Sequence, residues 1–128
     1  MFDRIETLRM ASALTAHAET RQRLIAQNVA NADTPGFRSS DLAPFADSYR
    51  SGPGVGLRAT RPGHASGIGW GAGGRPRDSG GEPAPNGNTV ALEEEMIRAA
   101  QAQKEFNLSL AVTRSALSMI RTSLGRRA

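Results

Sequence analysis

Residues 51–88 hold 12 glycines and five prolines, and no long helix can run through such a stretch. Glycine costs about 1 kcal/mol and proline about 3 kcal/mol relative to alanine in a helix interior, so the segment reads as loop with one or two short extended pieces. Regular structure is thereby pushed to the two ends of a 128-residue chain. Those ends can bury an apolar face only against each other or against another molecule.

Both ends carry helical patterns. From Asp3 to about residue 34, Asp3 and Glu6 stand at capping-box spacing, and Leu8, Ala11, Ala18, Ile25, Val29 and Ala32 recur at three, four or seven. A second line through Met10, Leu14, His17 and Leu24 widens the apolar face. Residues 89–128 contain the most regular repeat in the chain: Leu92, Met96, Ala99, Gln103, Phe106, Leu110, Thr113, Leu117, Ile120 and Leu124 alternate in steps of four and three. Such a repeat predicts a helix of about 50 Å that pairs in left-handed coiled-coil fashion. Acidic Glu93, Glu94 and Glu95 at its start and basic Arg121, Arg126 and Arg127 near its end suit the helix dipole.

The fold class expected is mainly α. The long N-terminal helix with its terminating signature (3–34) and the C-terminal heptad helix (89–128) form an antiparallel coiled-coil-like pair, and residues 35–88 form an irregular central segment with a Gly/Pro-rich loop. Within that segment Leu42, Phe45 and Tyr49 predict a short helix begun near Pro44. The intrachain seam is expected along Leu92, Met96, Ala99, Phe106, Leu110, Leu117, Ile120 and Leu124. A flank of Glu95, Ala102, Ser109, Ala116 and Ser123 is small enough to admit a further backbone. Leu108, Val112 and Met119 repeat away from the seam, so they are expected to meet other subunits. Buried side chains of this size contribute about 1.5–3 kcal/mol each, which an isolated pair would forgo on its outer faces. The plainer alternative is a monomeric helical bundle with a loose loop.

The first helix is closed by Asn28-Val-Ala-Asn31-Ala-Asp33-Thr34-Pro35-Gly36-Phe37. Asn28 and Asn31 share a helical face from which their amides reach backbone, and Asn31 or Asp33 can cap the helix end. Pro35 ends helix and pushes Thr34 to an extended conformation. Pro35–Gly36 suits the centre of a type II turn that presents Phe37 as an apolar anchor.

Several function classes are disfavoured. The chain has no cysteine, which removes disulfides and thiolate metal sites. Its formal charge of +4 is spread thinly rather than clustered, unlike a nucleic-acid-binding face. No apolar stretch reaches the ~18 residues of a membrane span, and the charged start does not resemble a cleaved signal peptide. His17 and His64 lack a catalytic constellation, so packing or solvated roles are expected. The glycine clusters lack the Lys-Ser or Lys-Thr of a phosphate loop, and Trp70 stands alone among glycines.

The Asn28–Phe37 segment resembles the N-terminal signature of the bacterial flagellar rod and hook family. The segments LRATRPGH (57–64) and NGNTVALEEEM (86–96) strengthen the likeness. Where that family often has an acidic residue, this sequence has Ala91, so the cap of the C-terminal helix is expected at Asn88 or Thr89. The resemblance implies a non-enzymatic, cofactor-free structural subunit, exported by the flagellar type III apparatus and built into a helical tube on the periplasmic side. Implied partners are further copies of itself, other rod subunits and the rod-to-ring adaptor. Competing readings are a generic coiled-coil adaptor with a flexible loop and a basic helical nucleic-acid binder.

Overall fold

The computed structural model describes residues 2–50 and 74–125, and side chains from residue 6 onward. The segment LRATRPGH, His64 and Trp70 lie outside the described residues, as do Arg126 and Arg127. Five elements follow in chain order: α1 (Phe2–Ala30), β1 (Ser40–Leu42), α2 (Phe45–Arg50), β2 (Pro76–Asp78) and α3 (Leu92–Leu124). The protein is mainly helical, with the two long helices packed against each other and an irregular middle.

The helices run antiparallel. Thr15 of α1 meets Ser109 of α3 at 2.8 Å between hydroxyl oxygens, while Gln22, further along α1, donates to Gln103, earlier on α3, at 3.1 Å. At ~1.5 Å per residue, the 29 residues of α1 span about 45 Å, close to the length of α3.

The line of contact is made of small residues. On α1, Ala11, Ala18 and Ile25 are buried, and on α3 Glu95, Ala102, Ser109 and Ala116 recur every seven residues as its buried side chains. Ala18, Ala102 and Ser109 have no exposed surface at all. Short side chains on the line of centres let two backbones approach closely, and close packing then excludes water along the whole contact.

This placement corrects the expected seam. Met96, Leu117 and Leu124 are 73%, 51% and 76% exposed, and Leu92 is also exposed. Ala99, Phe106, Leu110 and Ile120 are half-buried at the margin of the contact. The pairing axis is rotated toward the flank of small residues, because a leucine on the line of centres would hold the backbones too far apart for alanine on α1 to touch α3. The flank assigned to a third backbone is therefore the one that α1 occupies. On α1 itself Val29 and Met10 are exposed, whereas Leu8, Leu14 and Leu24 are half-buried.

The irregular middle contributes a small cap. β1 and β2 pair antiparallel, Ser40 opposite Asp78, Asp41 opposite Arg77 and Leu42 opposite Pro76. β2 is one of the short extended pieces anticipated in the glycine-rich zone. Pro44 opens α2, its carbonyl accepting from the amides of Asp47 and Ser48 at 3.0 and 3.1 Å. Leu42 is buried, and Phe45 meets the His17 ring edge-on, with centroids 5.6 Å apart. His17 is fully buried, with Nε2 2.9 Å from Ala43 O.

Candidate functional site: the helix-end knot and the uncovered helix face

Two features stand out: a polar knot where α1 ends and α3 begins, and an apolar face of α3 left open.

The knot starts with α1 unwinding. The Asn31 amide donates to both Gln27 O and Asn28 O, at 3.2 and 3.0 Å, which tightens the last turn. Asn31 caps this end: its Nδ2 donates to Gln27 O at 2.8 Å, and its Oδ1 lies 3.3 Å from Thr34 Oγ1. Asp33 is exposed beside it. Thr34-Pro35-Gly36-Phe37 then forms the anticipated turn, closed by Phe37 N to Thr34 O at 3.3 Å. Gly36 has φ 72°, the left-handed value that a type II turn demands at its third residue. Phe37 is half-buried beneath the turn.

Asn28 does more than sit on a helical face. Its Nδ2 donates to Ser40 O at 2.9 Å and its Oδ1 accepts from Ser40 N at 3.1 Å. The side-chain amide thus takes the place of a neighbouring strand for β1, and locks the end of α1 to the sheet.

Asn88 closes the knot from the far side. Its buried Nδ2 lies within 2.8–2.9 Å of three carbonyls, those of Asn31, Ala32 and Thr34. These carbonyls belong to the turn that follows α1, so Asn88 fastens that turn to the segment leading into α3. Main-chain bonds run beside it: Gly36 N donates to Asn86 O, and Thr89 N to Phe37 O, both at 3.0 Å. Ser39 is buried among hydroxyls, its amide donating to Thr89 Oγ1 at 2.9 Å and its Oγ in contact with Ser79 Oγ and Thr89 O. Gly81 lies so near this seam that a Cβ there would fall 2.5 Å from Thr89 O, so only glycine fits.

The expected cap of α3 is corrected accordingly. Ala91 occupies the N-cap with no side-chain hydrogen bond. Asn88 is turned instead toward the turn after α1 and Thr89 toward Ser39, while Asn88 Oδ1 accepts from Val90 N at 2.7 Å. The acidic first turn, Glu93 to Glu95, supplies charge that suits the helix N-terminus.

Below the knot lies a charged layer that sequence patterning missed. Arg21 grips Asp41 with two bonds, Nε to Oδ1 at 3.0 Å and Nη2 to Oδ2 at 3.1 Å, and its Nη1 lies 3.5 Å from Glu105 Oε1. Burial works against the charge of Arg21, but the hydrogen bond to Asp41 and the neighbouring carboxylates of Asp41, Glu105 and Glu95 outweigh it and raise its pKa. Arg98 donates to buried Glu95 at 2.7 Å and to Glu94 at 3.1 Å. The layer ties α1, β1 and α3 together. Its link between helices left only a scatter of charges in the sequence, because the partners of Arg21 lie 20 and 84 residues from it.

The open face runs along α3. Met96, Gln103, Leu110, Leu117 and Leu124 repeat every seven residues and, apart from half-buried Leu110, are exposed. At one end this line joins a shallow groove lined by Ile25, Ala26, Val29, Ala99 and Gln103. At the other it joins one lined by Leu117, Ile120 and Leu124. Of the residues expected to meet other subunits, Leu108 and Met119 are exposed, while Val112 is half-buried at the edge of the α1 contact. Among the described residues there is no cluster of acidic, histidine or cysteine side chains fit to hold a metal, and no helix is long and apolar enough to cross a membrane.

A helical pair braced at one end and apolar along an outer face defines a structural building block. Sequence comparison gives the class its name. A profile described as "Flagella basal body rod protein" matches residues 10–38, which contain the first half of the knot. The protein is 29% identical over 119 residues to the flagellar basal body rod protein FlgB of Agrobacterium fabrum, an alignment covering 87% of each of the two. It is 32% identical over 108 residues to FlgB of Cereibacter sphaeroides, covering 83% of its own length and 84% of the relative. The chain belongs to the flagellar basal body rod family, and within it is similar to FlgB.

Proposed function

We propose that this protein is a structural subunit of the proximal rod, exported by the flagellar type III apparatus. On the periplasmic side it joins a helical tube. The observation that carries this reading is the part of the α3 leucine line that α1 leaves uncovered, Met96, Leu117 and Leu124. Apolar residues at seven-residue spacing on an open helix face are a surface for another helix. An isolated pair exposing Leu92, Met96, Leu117 and Leu124 together forgoes apolar burial that neighbours in a tube would supply.

The partners under this reading are further copies of the protein, other rod subunits and the rod-to-ring adaptor. Leu108 and Met119, on a different side of α3, would meet a second neighbour, with Val112 at the margin. Membership of a structural rod family and the thin spread of basic charge support a role without catalysis, cofactor or nucleic acid.

The test is genetic and structural together. Basal bodies purified from a strain lacking the gene should have no complete rod, and a tagged copy of the protein should restore it. Rods of normal composition in the deletion strain would overturn the proposal, as would a tagged protein recovered only in small soluble oligomers.

A further inference from the structure

We propose that Asn86–Gly87 is a self-modifying dipeptide, held inert while the knot is closed and converted to aspartate and isoaspartate when the knot opens. The sequence has five asparagines, followed by Val29, Ala32, Gly87, Thr89 and Leu108, so only Asn86 precedes a glycine. Because glycine has no Cβ, the main-chain nitrogen of Gly87 meets no steric obstacle on its path to the carboxamide of Asn86.

The chemistry needs only water. The Gly87 nitrogen attacks Cγ of Asn86, and the new C–N bond closes a five-membered succinimide. The bond from Cγ to Nδ2 breaks, and ammonia departs with the proton released from the Gly87 amide. Water then opens the ring at either carbonyl, giving aspartate or, when the main chain is left running through Cγ, isoaspartate. No electron changes hands.

Asn86 is exposed, so water reaches it and burial is not what protects it. Three hydrogen bonds do. The Gly87 amide donates to Ala84 O at 2.8 Å, which fixes the nucleophile and opposes loss of its proton. Asn86 Oδ1 accepts from Asn88 N at 3.0 Å, which turns the carboxamide toward residue 88. Asn86 O accepts from Gly36 N at 3.0 Å, so the same residue carries one of the main-chain ties of the knot. Those bonds restrain both the nucleophile and the carboxamide while the knot is closed.

Conversion is also irreversible in its effect. Isoaspartate inserts a methylene into the backbone and adds a negative charge. Asn86 O is then out of register with Gly36 N, and Asn88, two residues on, is displaced from its three carbonyls. A subunit that lingers open long enough to form isoaspartate is marked and cannot reclose its knot.

The purified full-length protein is incubated in mildly alkaline buffer with and without unfolding urea. Digested samples are then read by mass spectrometry, with an isoaspartyl methyltransferase assay on the peptide containing residue 86. In urea, Asn86 should convert ahead of the other four asparagines. In the folded protein its rate should fall at least about tenfold, the factor set by an opening free energy of about 1.4 kcal/mol. Asn88→Ala should bring the rate in plain buffer toward the urea rate, and Asn86→Gln should abolish the signal. Equal rates with and without urea would overturn the protective role of the knot, and no preference for residue 86 in urea would overturn the site itself. Both readings come from the wild-type protein, so they stand even if Asn88→Ala fails to fold.

Discussion

Asn88 shows how much one amide can hold. With its Nδ2 facing three main-chain oxygens, removing it strands carbonyls in a buried site. Asn88→Ala should therefore cost about 2 kcal/mol or more, read as a lowered urea midpoint by circular dichroism. Asn88→Asp, which cannot donate, should be no better; a midpoint equal to wild type in both variants would contradict the role assigned. Asp78 gives a second test at this scale. Its carboxylate accepts from Gly80 N and from Arg38, which together hold its pKa below the usual carboxylate value. The stabilising contribution is present above the unfolded-state pKa, near 4, and is lost as pH falls through the lower folded value. Chemical shifts of the β1–β2 amides should move below about pH 4, and Asp78→Asn should remove that transition. Because the pair is exposed, the effect on overall stability should be small. The turn through Pro35 and Gly36 was legible in the sequence, since its determinants are adjacent. The role of Asn88 was not, because its acceptors lie 54 to 57 residues away and nothing local points to them.

Among the elements, α3 carries two heptad lines, and hydrophobicity alone selects the wrong one for the contact with α1. The leucine line is more apolar, yet the alanine and serine line is buried, because closeness of backbones decides which surface a neighbouring helix takes. The small stripe was visible in the sequence; its claim to the intrachain contact was not, since that depends on Ala11 and Ala18 standing opposite. Substitutions should follow the small stripe rather than the leucine line. Ala102→Leu should force the helices apart at a cost of about 1–3 kcal/mol. Leu117→Asp, on an exposed position, should change stability by no more than about 0.5 kcal/mol while blocking incorporation into rods. The pair of measurements is a thermal melt of each variant and immunoblotting of purified basal bodies. Loss of folding in Leu117→Asp with intact folding in Ala102→Leu would restore the leucine seam. Arg21→Met should also loosen the pair, by about 2 kcal/mol, since Asp41 would lose a charged two-bond partner.

At the scale of the whole molecule, an antiparallel pair with a polar knot places the junction of both helices at one pole. Stability is concentrated there, in side-chain amides and hydroxyls that satisfy main-chain groups, and thins along the shaft toward exposed Leu117, Met119 and Leu124. Hydrogen exchange should therefore be slowest near Asn28 and Asn88 and fastest beyond Ala116, and assembly should slow the latter region most. Equal protection along both helices in the free protein would contradict this gradient. The positions where the described backbone leaves and re-enters are neighbours: a Cβ at Gly74 would lie 3.3 Å from Ser48 Oγ. Ser48 and Gly74 are thus held side by side. Doubling the number of residues between two points so fixed adds only about 0.6 kcal/mol of closure entropy, so an epitope or a small folded cargo should be accepted between them without disturbing either shaft.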